Sequence, residues 1–217
     1  MKKAFYTINF GGYDSIKEPY VTPGWDYFLF TDRDYKSNIY KIINIAGLPP
    51  HLQARDCYIN SQKYFPEYDL TFMVGGQIEL KGNLDEFILT HCDLSYDFNM
   101  FKHPCRTCIY QEAEVIIREK IDAADKVNRQ MDKYRGEGMP ANYGLNAHGV
   151  IIRKRSENVK RHEELWWQEV ITHSHRDQLS FMYILWKYNL VTVKTFPYDL
   201  IRSRWFQVYQ HKTNKPI

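Results

Sequence analysis

Arg176-Asp177-Gln178 is a charged triplet opening an amphipathic run that continues to Tyr188. A carboxylate in the first turn of a helix meets free backbone N–H groups and the positive end of the helix dipole, which keep it ionised and fix its position. Such a group can take a proton from a hydroxyl or orient a polyol, and its plain alternative is an N-cap without chemistry. A second candidate is Thr7-Ile8-Asn9-Phe10-Gly11-Gly12-Tyr13-Asp14. Polar side chains at a strand's end, followed by glycines that let a ligand approach the backbone, suit a nucleotide, although neither a G-x-G-x-x-G nor a Walker A motif is present. Phe30-Thr31-Asp32 ends another strand with a carboxylate that can accept from a base N–H or cap a turn.

Three further groupings carry weaker signals. Cys105-Arg-Thr-Cys108 is a C-x-x-C with His91, Cys92 and His103 nearby in sequence, but a second correctly spaced ligand pair is missing, so reduced thiols are expected rather than zinc. His103, Arg106 and Glu112 read either as a substrate contact or as a loop staple in which Arg106 pairs with Glu112. Tyr143 to Gly149 is a polar turn before a strand, where His148 can serve as a proton donor, a diphosphate contact or a structural residue. Trp166 and Trp167 are adjacent and on a helix point about 100° apart, so one enters the core and the other is left to stack on a sugar ring or close a helix interface.

The elements that must hold these groups alternate. Apolar runs at Ala4–Phe10, Trp25–Thr31, Tyr40–Ile45, Tyr68–Val74, Gln77–Leu80, His148–Lys154 and Val191–Phe196 read as strands. Helices are expected over His51–Phe65, stopped by Pro66, over Leu84–Thr90, over Ile109–Lys133 with a break near Ile121-Asp122, over Val159–His173 and over Asp177–Tyr188. That order predicts an α/β domain with a mainly parallel sheet, whose ligands gather at the carboxyl ends of its strands.

Composition agrees with one globular domain over 1–217: 44% of residues are hydrophobic and 25% charged. The aromatic content of 16% is high, and the surplus is expected at surfaces or in a cleft. A net charge of +3, from 29 basic and 26 acidic residues, is too balanced for a nonspecific nucleic-acid binder, so no nucleic-acid partner is expected. The N-terminus is too polar for a signal peptide, and no stretch approaches the roughly 18–20 apolar residues that span a bilayer; a cytoplasmic protein is expected, in the host cytoplasm if virus-encoded.

Several runs together resemble one family: YTINFGGYDSIKEP, DYFLFTD, R-x-x-Y-x-N-x-x-K-Y-F-P-E-Y-D from Arg55, HP-x-R-x-C-I-Y-x-E-A from His103, GVIIR, WW-x-E and RDQLSFMYILWK. The chain is similar from Tyr6 to Lys187 to a glycosyltransferase family of GT-A type, long classed as a domain of unknown function. The resemblance implies a Rossmann-like, mainly parallel mixed sheet flanked by helices, with a nucleotide-binding half over about 1–80 and an acceptor half over about 81–217. It implies that Thr7, Asn9 and Tyr13 line the nucleoside pocket, that Asp32 reads the base, and that Arg55 and Lys63 approach the diphosphate of a nucleoside-diphosphate sugar, UDP-type. It places Arg176, Asp177 and Gln178 beside the donor sugar, with Asp177 as base or sugar-orienting carboxylate. His103, Arg106, His148, Trp166 and Trp167 fall to the glycan or glycoconjugate acceptor.

One position departs from the family. Where its fourth strand ends in a pattern like W-I-D-G-x-I, this chain reads Met73-Val74-Gly75-Gly76-Gln77-Ile78. Gly75 stands in place of the aspartate and Gln77 in place of a second polar ligand, a poor set for Mn²⁺ or Mg²⁺, which prefer anionic oxygens. Three readings stay open: transfer without a protein-held metal, using Arg55, Lys63 and the C-terminal Arg202, Arg204, His211 and Lys212; a metal held through diphosphate and water; or a catalytically impaired sugar-nucleotide or glycan-binding domain.

Overall fold

The computed structural model describes residues 1–211 and 215. Its strands are β1 (Lys3–Asn9), β2 (Asp26–Thr31), β3 (Lys41–Asn44), β4 (Leu70–Gly75), β5 (Ile78–Leu80), β6 (Phe98–Lys102), β7 (Asn146–Lys154), β8 (Val193–Phe196) and β9 (Phe206–Val208). The helices are α1 (Pro50–Ile59), α2 (Ser61–Tyr64), α3 (Leu84–His91), α4 (Ile109–Arg118), α5 (Ala124–Gly136), α6 (Glu157–Thr172) and α7 (Asp177–Tyr188). A seven-stranded sheet runs β3-β2-β1-β4-β7-β6-β8, and β5 and β9 form a separate antiparallel pair. β7 alone runs against its neighbours; every other pairing in the large sheet is parallel. This is the mostly parallel, helix-flanked α/β sheet of the Rossmann-like GT-A type.

Parallel strands covered on both faces need continuous apolar sequence, and Leu70 to Val74 of β4 is buried throughout. On one face α1, α4, α5, α6 and α7 close over Tyr6, Phe30, Met73, Ile151 and Trp166. On the other, α3 and the β5–β9 pair close over Phe5, Phe72, Phe87, Phe101 and Phe206. The aromatic surplus expected at surfaces or in a cleft is spent mainly in these two cores, where rings meet edge to face, as Phe87 does with Phe196 and Trp205.

Several boundaries differ from the pattern. The helix expected over His51–Phe65 breaks at Asn60, whose ψ of 56° leaves the helical region, giving α1 and α2. The break near Ile121 is present, but α5 runs on to Gly136. β6 has no clear signal because buried Asn99, a poor strand former, interrupts its apolar run; its amide instead holds the loop at Asp93 (Asp93 N to Oδ1 2.8 Å, Nδ2 to Asp93 O 3.1 Å).

Two devices set the geometry of the site. Met100 of β6 pairs with Ile151 of β7, but the next residue, Phe101, pairs with Ala147, so β7 carries His148, Gly149 and Val150 as excess. A bulge re-aims side chains, and here it turns His148 onto the helix-covered face among Tyr58, Trp166 and Phe181. Gly149 takes the opposite face, where a Cβ would lie 2.7 Å from Ile78 Cδ1. The second device is Arg153, buried at the far end of β7. Its guanidinium donates to the Ile59 carbonyl (2.9 Å), the Tyr58 carbonyl (2.6 Å), Tyr6 Oη (3.0 Å) and Glu163 Oε1 (2.9 Å). It thereby ties the C-terminus of α1 to β1, β7 and α6.

Candidate active site

The first residue of α7, Asp177, is buried at the centre of a polar cluster. Arg55 Nε lies 2.8 Å from its Oδ1, His148 Nδ1 lies 2.5 Å from its Oδ2, and Tyr58 Oη donates to that same Oδ2. Arg55 and Tyr58 are three residues apart on α1 and so share a face. The main-chain carbonyl of Asp177 accepts from the indole Nε1 of Trp166 at 3.0 Å, which pins the start of α7 to α6. Burial alone would raise the Asp177 pKa, but Arg55, His148 and Arg176 outweigh it and hold the carboxyl well below the usual carboxylate range. The group is a permanent anion whose two oxygens are already taken.

Around it gathers a rim of arginine and histidine. His51 lies one turn before Arg55 on α1, its ring 5.2 Å from that of His175, and His175 Nδ1 is held 2.9 Å from Asp122. Burial, with help from Arg55, Arg176 and His51, pushes the His175 pKa down against the opposing pull of Asp122. Arg176 Nε is buried without a hydrogen-bond partner.

The glycine turns border this rim at the carboxyl edge of the sheet. Pro50 Cβ, at the start of α1, is 3.5 Å from where a Cβ on Gly11 would stand. Gly11 and Gly12 have φ of 65° and 60°, a left-handed turn that glycine adopts without strain. The Arg33 guanidinium lies where a Gly12 side chain would be and donates to the Gly11 carbonyl at 2.9 Å. Gly76 approaches β1 so closely that a Cβ would sit 2.7 Å from the Ile8 carbonyl oxygen, with the Asp14 carboxylate beside it at 3.4 Å. Asn9 holds the Asp14 backbone from both sides, donating to its carbonyl at 2.6 Å and accepting from its N–H at 3.1 Å, and His211 pairs with the Asp14 carboxylate at 2.9 Å. At the ends of β2 and β3 an open groove of about 430 Å³ is lined by Asp32, Arg33, Asp34, Asn44 and Leu48.

Arg55, Arg176, Asp177 and His148 are thus brought together, whereas other expected residues are engaged elsewhere. Lys63 pairs with Asp56 at 2.6 Å, one residue on from Arg55 and so about 100° round the helix. Asp32 is turned back to accept from the Gly11 N–H at 2.9 and 3.0 Å. Gln178 Nε2 donates to the Asn146 carbonyl at 3.1 Å and anchors β7. Thr7 is buried within β1, and Tyr13 lies against the His211 ring. Arg106 Nε pairs with buried Glu112 at 2.5 Å while His103 Nδ1 accepts from the Arg106 N–H at 3.0 Å, the loop staple. Trp166 is fully buried and Trp167 partly so. Gln77 Oε1 lies 3.3 Å from where a Gly75 side chain would begin.

In the C-terminal segment, Arg202 pairs with Asp199 at 3.4 Å and Arg204 lies over the Trp205 ring; Lys212 lies outside the described residues. Arg33, His51 and His175 are candidates that the sequence reading does not name as site residues, whereas Asp14 closes the second candidate segment and Tyr58 lies in the run from Arg55 that carries the resemblance. For Tyr58 and His51 a signal existed, since each shares a helical face with Arg55.

Comparison with known protein families finds a match to TOD1/MUCI70, glycosyltransferase-like domain, over residues 29–211. No curated protein matches the sequence. Among the described residues, no helix is long and apolar enough to cross a membrane.

Proposed function

We propose that this chain, which belongs to the TOD1/MUCI70, glycosyltransferase-like domain family, transfers a sugar from a nucleoside diphosphate, UDP-type, to a hydroxyl of a glycan or glycoconjugate. The observation that carries the reading is the position of the arginine and histidine rim. Arg55 and Arg176 stand, with His51 and His175, at the carboxyl edge of a mostly parallel sheet, beside two glycine turns. In this reading the base occupies the groove at Asp32 and Arg33, and the diphosphate passes over Gly11–Gly12 and Gly75–Gly76 toward Arg55 and Arg176. Arginine suits that task because its planar fork matches phosphate oxygens.

A protein-held divalent ion does not fit the residues present. Gly75 offers no side chain, Gln77 offers a neutral amide, and the nearby Asp14 carboxylate is engaged by His211. Among the described residues no group of three or more His, Cys, Asp or Glu can hold a metal. Charge on the leaving diphosphate therefore falls to the arginines, and no step is assigned to a metal.

Calorimetric titration with UDP, GDP and dTDP and their sugars, in Mn²⁺ and in EDTA, tests the reading. We expect binding of at least one nucleoside diphosphate that survives EDTA; failure to bind any of them sinks it. The second reading, a donor-binding domain without turnover, is favoured by Gly75 and predicts binding with no release of sugar to water or acceptor.

A further inference from the structure

We propose that His148, with Asp177 holding its ring, takes the proton from the acceptor hydroxyl, so that the transfer inverts the configuration of the sugar. The inference rests on the reading above and adds to it a chemical role and a stereochemical outcome.

His148 Nε2 is a buried nitrogen with no hydrogen-bond partner. Such a group costs free energy unless something is there to use it. The other ring nitrogen decides what it is. Asp177 is ionised and lies 2.5 Å from Nδ1, so Nδ1 carries the proton and donates, and in this proposal the bare lone pair falls to Nε2. The imidazole cannot turn to hide it: Tyr58, Trp166 and Phe181 pack round it, with ring centroids at 6.0, 5.3 and 5.2 Å. Its side chain keeps 6% of its surface and Nε2 itself is covered, so the proposed step requires the acceptor to seat against that nitrogen.

Asp177 itself is poorly suited to be the base. Arg55 occupies Oδ1, and Tyr58 and His148 share Oδ2, so neither oxygen is open to a hydroxyl. What the carboxylate can do is orient the ring and stabilise the imidazolium that forms, the division of labour of a carboxylate–histidine pair. The charged and titratable groups beside His148 are Asp177, which Arg55 and Arg176 flank in turn, Tyr58 from α1 and His103 from the loop after β6.

In the step itself, the acceptor oxygen attacks the anomeric carbon as its proton passes to His148 Nε2. The bond from that carbon to the β-phosphate oxygen breaks, its electron pair leaves on the nucleoside diphosphate, and the imidazolium later returns its proton to water. One displacement inverts the centre.

The test begins with wild-type protein, UDP and a panel of UDP-, GDP- and dTDP-sugars. His148→Gln keeps a donor for Asp177 but no base; we expect kcat for sugar release to fall by about 10²–10⁴-fold, with nucleotide affinity within twofold. His148→Ala should be rescued by added azoles, with the rescued rate rising with azole pKa, which a structural histidine would not show. The first product should carry the inverted anomer by NMR. If either variant fails to fold, ¹⁵N NMR of wild-type histidines should show His148 protonated at Nδ1 and bare at Nε2. Retained configuration, the opposite tautomer, near-wild-type turnover in His148→Gln, or equal loss of nucleotide binding would overturn the inference. Wild-type binding without turnover overturns it too but leaves a donor-binding domain standing, whereas no binding at all overturns the functional reading itself.

Discussion

In the proposed reading the chemistry turns on Asp177 and Gly75, and each is understood only with its neighbours. Asp177 is buried, and an unpaired buried carboxylate would be protonated or would unfold its surroundings; Arg55 and His148 make it affordable as an anion. The same contacts remove it from direct proton transfer and, in the proposed reading, pass that role to His148. Gly75 has the opposite story. Its backbone is not left-handed, and a Cβ there would meet Gln77 Oε1 at 3.3 Å, the Gly149 carbonyl at 3.5 Å and Ile78 Cδ1 at 3.7 Å, so an aspartate can be accommodated once the glutamine shifts. Gly75→Asp should therefore raise UDP affinity in Mn²⁺ by an order of magnitude or more while leaving affinity in EDTA unchanged or weaker, measured by calorimetry. Equal affinity in the two buffers would mean that no diphosphate passes this strand end.

At the scale of elements, the position of α1 matters most, because it carries His51, Arg55 and Tyr58 together. Nothing in its own sequence holds it strongly: it begins at Pro50, lacks a side-chain cap and has no basic residue in its last turn. Its C-terminal carbonyls are instead held by Arg153 from β7, whose charge is balanced by fully buried Glu163. Burial raises the Glu163 pKa despite Arg153, Ser61 and the Gln62 N–H, so the pair is costly to split. Arg153→Met should cost roughly 3–5 kcal/mol in urea unfolding, because a buried carboxylate loses its cation. Adding Glu163→Gln, whose amide oxygen can accept from the Gln62 N–H while its Nε2 donates to the Ser61 hydroxyl, should recover part of that loss. A single variant as stable as the parent would show that α1 is held by packing alone.

The whole molecule carries its pH response in buried histidines. His162 lies between Phe98, Trp166 and Phe181 with neither ring nitrogen hydrogen-bonded, and burial, aided by Arg153, takes its pKa down to about 3. The unfolded chain binds that proton near 6.5, so the contribution to stability is complete above pH 6.5 and is lost as pH falls toward 3. Burial also holds His103, His173 and His175 below 6.5, adding the same sign. Unfolding free energy should drop between pH 7 and pH 5. His162→Leu should make that drop shallower by about 1 kcal/mol per pH unit over that range, approaching about 1.4 kcal/mol per unit only well below pH 6.5, while changing stability at pH 7 by no more than about 1 kcal/mol, since no hydrogen bond is lost. An unchanged slope would place the ring in contact with water.

Much of this fold was legible in the sequence for a local reason. Strands such as Tyr68–Val74 and helices such as Asp177–Tyr188 are set by apolar periodicity, capping and proline, which act over a few residues. The family was legible too, as was the charged triplet at Arg176 that opens α7. Which groups meet was decided only by tertiary structure. Asp177 finds Arg55 more than a hundred residues away, His148 reaches it through a bulge created by the mismatch between β6 and β7, and Lys63, equally cationic in the sequence, is claimed by Asp56. Charge and residue type are properties of the chain, but whether a carboxylate is a base, an anchor or a counter-ion depends on what packing places within hydrogen-bond reach and how much water it removes.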